Sequence, residues 1–123
     1  AEAMLGEQDV LGLSTGDHIM TFFRKWLDER FILDSEGLLH CAHGRRVLVA
    51  GLVVVHQSPP TAKGHHFITL EDESGMINVI IRPRVYARYR RTWRESRLLI
   101  VEGDVQQESG VTSLLARRAR PLQ

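Results

Sequence analysis

The chain has a single cysteine, Cys41, so no disulfide can form within it, and burial and hydrogen bonds must hold whatever fold it adopts. A lone thiol fits a reducing, cytoplasmic setting. Long apolar runs are also missing. The longest, Val47 to Val55, is too short and too β-branched to span a bilayer, and no secretory signal stands at the start. Ala1 occupies the place of an initiating methionine, which points to a fragment or a processed chain. There is no Walker loop and no dinucleotide fingerprint. His40, Cys41 and His43 are close in sequence, but no second cysteine pair completes a zinc site. Nothing beside Cys41 would activate it as a nucleophile. The one acidic cluster, Glu71-Asp72-Glu73, reads as a turn, whereas a catalytic two-metal site needs separated carboxylates that converge. The expectation is a domain without catalytic residues, metal or cofactor.

What is present is one domain's worth of ordinary globular sequence: 123 residues, 43% hydrophobic and 25% charged. The formal net charge of +1 conceals a gradient. Residues 1–44 carry three basic and eight acidic groups, and residues 82–123 carry ten arginines against four acids. A basic second half of this kind suits an anionic polymer.

Asp9 to Gly16 is an extended, glycine-punctuated lead-in, and Asp17 is the expected N-cap of a helix running to about Arg30. Ile19, Phe22, Phe23, Trp26 and Leu27 recur at the spacing of one helical face, opposite Arg24, Lys25, Asp28 and Glu29, and read as a docking stripe. Ser35 is placed to cap a short second helix that reaches Cys41 and ends at Gly44. A long β-branched strand then runs from Arg45 to His56, with Gly51 marking a bend that would let it serve both halves of a small barrel. Gln57 to Gly64 is a loop by its two prolines and its glycine.

The stretch from Gly64 to Ile81 organises the rest. It reads as two strands joined by a tight turn at Glu71–Gly75, with Ile68, Leu70, Ile77, Val79 and Ile81 facing a core. The opposite face then presents Phe67, Thr69, Asn78 and Arg82, an aromatic ring beside polar groups, which is what a base-stacking platform requires. Pro83 opens a helix through Val85, Tyr86, Tyr89 and Trp93, and strands follow at Arg97–Gln107 and Val111–Arg117. Three strands, a helix and two strands make a mainly β chain, a five-stranded OB-fold barrel with a helix between strands three and four. The division is a helical N-terminal extension over 1–44, packed on the barrel, and a nucleic-acid-binding barrel over 45–120. Arg84, Arg88 and Arg91 lie on a helix that usually plugs one end of such a barrel, so they are expected to attract a polyanion only at long range.

These residues also carry a resemblance. Gly51-Leu-Val-Val-Val, Thr61-Ala-Lys-Gly64, Phe67-Ile-Thr-Leu-Glu-Asp-Glu-Ser-Gly75 and Arg97-Leu-Leu-Ile-Val-Glu-Gly103 resemble the C-terminal OB domain of bacterial DNA polymerase III alpha subunits, closest to the error-prone translesion paralogue. The lead-in Asp9-Val-Leu-Gly-Leu13 with Gly16-Asp-His18 resembles the segment before that domain. Ile19 departs from the proline usual there, and Arg82 makes the face more basic than is common in the error-prone group. The Phe-Ile-x-Leu-x-Asp…Gly-x-x-Asn pattern is similar to the anticodon-binding domains of class II aminoacyl-tRNA synthetases. That likeness implies base stacking for Phe67 and base-edge contacts for Asn78. The polymerase resemblance implies single-stranded DNA as partner, with a sliding clamp or accessory polymerase subunits nearby. His56, Lys63, His65, Phe67, Thr69, Asn78 and Arg82 are the candidate nucleic-acid contacts. Two other roles fit the same chain: a protein docking module for a clamp or accessory factor, and a free-standing RNA- or DNA-binding OB protein.

Overall fold

The computed structural model describes residues 16–122. In chain order the elements are α1 (Gly16–Asp28), β1 (Ile32–Leu33), α2 (Ser35–Leu39), β2 (Arg46–Gln57), β3 (His66–Glu71), β4 (Met76–Ile81), α3 (Pro83–Arg88), α4 (Arg90–Glu95), β5 (Leu98–Glu108) and β6 (Val111–Pro121), with a 3-10 turn at Pro60–Ala62. The lead-in expected over residues 9–15 lies outside the described residues, as does the side chain of Asp17.

Strand β2 pairs antiparallel with β3 and with β5, β3 with β4, and β5 with β6, while β4 runs parallel to β6. The ring β2-β3-β4-β6-β5 therefore closes on itself and leaves no free barrel edge. This is the barrel expected from the element order, with helix between its third and fourth strands. One strand can serve both sides because β2 pairs with β5 over Arg46–Leu52 and with β3 from Leu52 onward. The changeover falls beside Gly51. A Cβ there would sit 2.9 Å from the Leu70 Cβ and 3.0 Å from the Glu71 carbonyl oxygen, so only glycine lets the two strands approach this closely.

Inside the barrel, Val49, Ile68, Leu70, Ile77, Val79, Ile81, Val101, Val105 and Leu114 form one apolar cluster. The two-residue period of each strand points these residues inward. Helices close the ends: α2 contributes Leu38 and the following Cys41, and α4 contributes the buried Trp93. A second, smaller cluster lies on the outside of the barrel. There Met20 and Leu27 of α1 pack with Ile32 against Ala50, Leu52, Leu98, Ile100 and Leu122. Burying each leucine, isoleucine or methionine side chain among them is worth about 1.5–3 kcal/mol.

Several local expectations need correction. The inward stripe of α1 is the buried Met20 and Leu27 with the half-buried Phe23 and Arg24, whereas Ile19, Phe22 and Trp26 are exposed. The stripe is rotated because Arg24 is drawn inward: its guanidinium pairs with Glu73, with Nη2 3.2 Å from Oε1, and donates to the Ile32 carbonyl at 3.0 Å. Asp34, not Ser35, caps α2, accepting from the Gly37 N–H at 2.8 Å. The helix after Pro83 is broken at Tyr89, which turns the chain so that Trp93 enters the core and donates its indole N–H to the Val85 carbonyl at 3.3 Å. β6 also runs past Arg117 to Pro121, so Arg118 and Arg120 lie on the strand too.

The acidic turn between β3 and β4 is structural. Asp72 is 1% exposed. Its Oδ1 accepts from the Ser35 hydroxyl and from the N–H groups of Ser74 and Gly75, each at 2.9 Å. Its Oδ2 accepts from the Ser35 N–H at 2.7 Å. Removing this acceptor leaves several donors dry, and unsatisfied buried groups cost about 1–3 kcal/mol each. Asp72→Ala should therefore lower folding stability in denaturant melts by about 3 kcal/mol, and a loss below about 1 kcal/mol would mean that the turn holds without it.

Candidate nucleic-acid interface

Because Ile68 and Leu70 fill the core, Phe67, Thr69 and Glu71 of β3 face outward, as do Met76, Asn78 and Ile80 of β4. Strand register arranges them in rows. Phe67 lies opposite Ile80 on one side and Gln57 of β2 on the other, and Ile80 is followed by Leu115 of β6. The next row is Val55, Thr69, Asn78 and Ser113. A third holds Glu71 beside Met76. Phe67 is 36% exposed and outside both core clusters, with the half-buried Ile80 and Leu115 extending its apolar row. Beside that row the Thr69 hydroxyl and the exposed Asn78 amide are cross-strand partners. An aromatic shelf next to an amide that both donates and accepts can hold a planar base and read its edge.

The connection from β2 to β3 forms the border of this face. Ser58 Oγ donates to the His65 carbonyl at 3.2 Å, and His65 Nδ1 donates to the Ala62 carbonyl at 2.9 Å. That bond fixes the imidazole against its own loop and leaves Nε2 as the free ring nitrogen. Lys63 is exposed at the turn in a left-handed conformation, φ 55°. The next residue, Gly64, approaches Pro83 so closely that a Cβ would stand 3.2 Å from the proline Cγ. Lys63 and Arg82, which precedes Pro83, thus share one edge of the platform. Arg82 is exposed in extended backbone, two residues beyond Ile80.

His56 is placed elsewhere. It pairs in register with the inward-facing Ile68, and its Nε2 lies 2.9 Å from Nδ1 of His66. The His66 ring stacks on Tyr86 with centroids 3.5 Å apart and planes within 1°. His56, His66 and Tyr86 form a ring cluster where α3 covers the barrel mouth, on the other side of the sheet from Phe67. The structure therefore brings Phe67, Thr69 and Asn78 together, sets Lys63, His65 and Arg82 along their edge, and leaves His56 out. Sequence reasoning missed Val55, Gln57, Ile80, Ser113 and Leu115. The period-two alternation already put Ile80 outward, but the β6 partners follow only from long-range parallel pairing.

Burial lowers the proton affinity of both histidines, and for His66 the charges of His56 and Arg90 lower it further. A folded-state affinity below the unfolded one contributes stability that is intact above the ordinary imidazole range and is lost as pH falls through the folded values. Thermal stability should therefore decline on acidification below about pH 6.5, and the His66→Phe variant should show a shallower decline. Equal pH slopes for the two proteins would remove the ring pair as the cause.

Similarity to known proteins follows the same outline. Residues 47–122 match the family model described as an OB-fold nucleic acid binding domain, tRNA anti-codon. The chain is 44% identical over 121 residues to an error-prone DNA polymerase of Pseudomonas aeruginosa, covering 98% of this chain and 12% of that relative. It is 45% identical over 115 residues to an error-prone DNA polymerase of Xanthomonas oryzae pv. oryzae, covering 94% of this chain and 11% of the relative. The chain thus spans about an eighth of the length of the curated relatives it matches. Among solved structures, asparaginyl-tRNA synthetase from Pyrococcus horikoshii is similar with a TM-score of 0.63 at 17% identity, covering 75% of this chain and 23% of that one. The S. pombe Stn1-ten1 complex is similar with a TM-score of 0.55 at 19% identity, covering 64% of this chain and 59% of that chain. These structural likenesses concern the fold.

Proposed function

The chain belongs to the family of OB-fold nucleic acid binding domains, and we propose that its outer β3–β4 face holds single-stranded DNA for an error-prone DNA polymerase of the alpha-subunit type. The observation that carries this reading is Phe67, a partly exposed ring on a sheet face whose inward positions are already filled. Stacking one base on such a ring is worth about 1–3 kcal/mol and tolerates any sequence, as a domain that must hold damaged template requires. Asn78 and Thr69 meet base edges, while Lys63 and Arg82 neutralise phosphates at the border. Polymerisation itself is assigned to other parts of the parent enzyme, in the reducing cytoplasm where the buried Cys41 remains a thiol.

Phe67→Ala should weaken oligonucleotide binding by about 1–3 kcal/mol with little change in melting. A melt lowered by the roughly 3–5 kcal/mol typical of a core phenylalanine, with binding by the folded fraction intact, would end the stacking reading. Asn78→Ala should weaken binding less and alter base preference. Lys63→Ala should reduce the slope of log K against log salt by about 0.7, the value of one phosphate on a single strand, and an unchanged slope would take Lys63 out of the footprint.

A second reading rests on α1. Ile19, Phe22 and Trp26 are exposed along one side of the helix, Phe22 at 82%. This face would hold a protein, a sliding clamp or an accessory polymerase subunit, without competing for the nucleic-acid platform. On that reading Phe22→Ser with Trp26→Ser abolishes binding to the purified partner and leaves oligonucleotide affinity unchanged.

A further inference from the structure

A second basic surface lies beyond the platform, between α3 and the far end of β6. Arg84, Arg88 and Tyr89 face Arg46, Arg117 and Arg118 across an open groove of about 430 Å³. The five guanidiniums come from three elements far apart in sequence, β2, β6 and the helix. Two carboxylates answer them. Asp104 bonds Arg46 Nε at 2.9 Å and Arg117 Nη1 at 3.0 Å, and Glu102 lies 3.8 Å from Arg118. Arg84 and Arg88 are exposed on the helix side of the groove, and Arg88 lies 5.8 Å over the Tyr89 ring. The two sides of the groove differ accordingly: on the strand side the arginines are pinned by carboxylates, while the helix side presents cationic charge to whatever enters.

The strands of the platform lead toward the groove. Phe67, Ile80 and Leu115 are successive neighbours across β3, β4 and β6. Two residues past Ile80 is Arg82, and two past Leu115 is Arg117. Arg82 and Pro83 then lead directly into Arg84. A strand stacked on Phe67 and crossing toward β6 therefore meets Arg82 first and the arginine groove next.

We propose that this groove is a phosphate track for the same nucleic-acid strand, extending the footprint of the Phe67 platform along the outside of α3. This rests on the platform reading and departs from a purely long-range role for the helix arginines. Charge complementarity selects a polyanion. A track spaced along one edge, with a single aromatic ring and no further stacking shelf, suits a sugar–phosphate backbone. The three arginines of α4 serve as a natural contrast, since Arg90, Arg91 and Arg94 surround a separate depression in which Arg91 bonds Glu95 at 3.1 Å.

The test uses fluorescently labelled oligothymidylates of about 5 and about 15 nucleotides, spanning the site sizes of OB folds. Arg84→Gln with Arg88→Gln is compared with Arg91→Gln plus Arg94→Gln, which removes the same charge away from the groove. Two lost phosphate contacts reduce the log K–log salt slope by about 1.4, so the first variant should lose about sevenfold less affinity than the parent between about 50 and 200 mM salt. That change should appear on the longer oligonucleotide, while the short one binds as before and the second variant keeps the parent slope. Equal slope changes in the two double variants, or an unchanged slope in the first, would overturn the track. If Phe67→Ala leaves binding of the long strand intact while the Arg84/Arg88 change persists, the platform falls and the groove stands. Absence of oligonucleotide binding at either length would overturn both.

Discussion

The carboxylate of Asp72 is the point on which the platform's geometry depends. A tight turn between β3 and β4 leaves the Ser74 and Gly75 N–H groups pointing into its own concavity, and Asp72 satisfies both. The same carboxylate reaches out to Ser35 at the start of α2, through the hydroxyl and the backbone N–H. One side chain therefore closes the hairpin and docks the N-terminal helices on it. Two neighbouring contacts reinforce the junction: Glu73 pairs with Arg24 of α1, and the Ser74 hydroxyl donates to Asp34 at 2.8 Å. Burial pushes the Asp34 proton affinity up, but the Gly37 N–H, the Ser74 hydroxyl and the Arg24 charge outweigh it and hold the carboxyl below its usual range. All three acidic or capping groups act on conformation. With the turn locked, the register of β3 on β4 is fixed, and a one-residue slip would send Phe67 into the core and Ile68 into solvent.

The barrel and the face that bears Phe67 were legible in the sequence for a shared reason. Strand alternation is a local signal, and in Phe67-Ile68-Thr69-Leu70 it assigns each side chain to a face without knowledge of any partner. Gly51 was legible too, because an interior glycine in a β-branched run has few other uses. The failures cluster where a distant group decided the outcome. On α1 the aromatic residues made the more conspicuous stripe, yet the buried side was chosen by Met20, Leu27 and an arginine whose partner lies on the β3–β4 turn. Ser35 looked like a cap, but its hydroxyl was needed by Asp72 and the capping passed to Asp34. His56 lies at the end of a strand whose bulge between Val53 and Val55 shifts the register and pairs it with the inward Ile68, which no local pattern announces.

Charge followed the same division. The excess of arginine after residue 82 was plain from composition, but composition cannot say which arginines meet. Arg46 comes from the neutral middle of the chain and reaches the groove only because β2 pairs with β5, which places it across from Asp104. Burial pushes the Asp104 carboxyl up in proton affinity, yet Arg46 and Arg117 outweigh this and hold it ionised below the usual carboxylate range. One anion thus sets two guanidiniums in fixed positions on the strand side of the groove.

That arrangement bears on how a small barrel could hold a strand without reading it. Stacking on Phe67 is indifferent to base identity, and contacts to phosphate are indifferent by nature. The Thr69–Asn78 pair and Ser113 beside it have hydrogen-bonding groups to discriminate, and they occupy one row between the Phe67 row and the acidic turn. A surface of this composition would derive its affinity from charge and stacking, and its position on the strand from whatever rigid part carries it. The turn at Asp72 ties the hairpin to the helical extension, because one carboxylate bonds both the turn N–H groups and Ser35. The platform's orientation is therefore tied to α1 as well, through the pairing of Glu73 with Arg24.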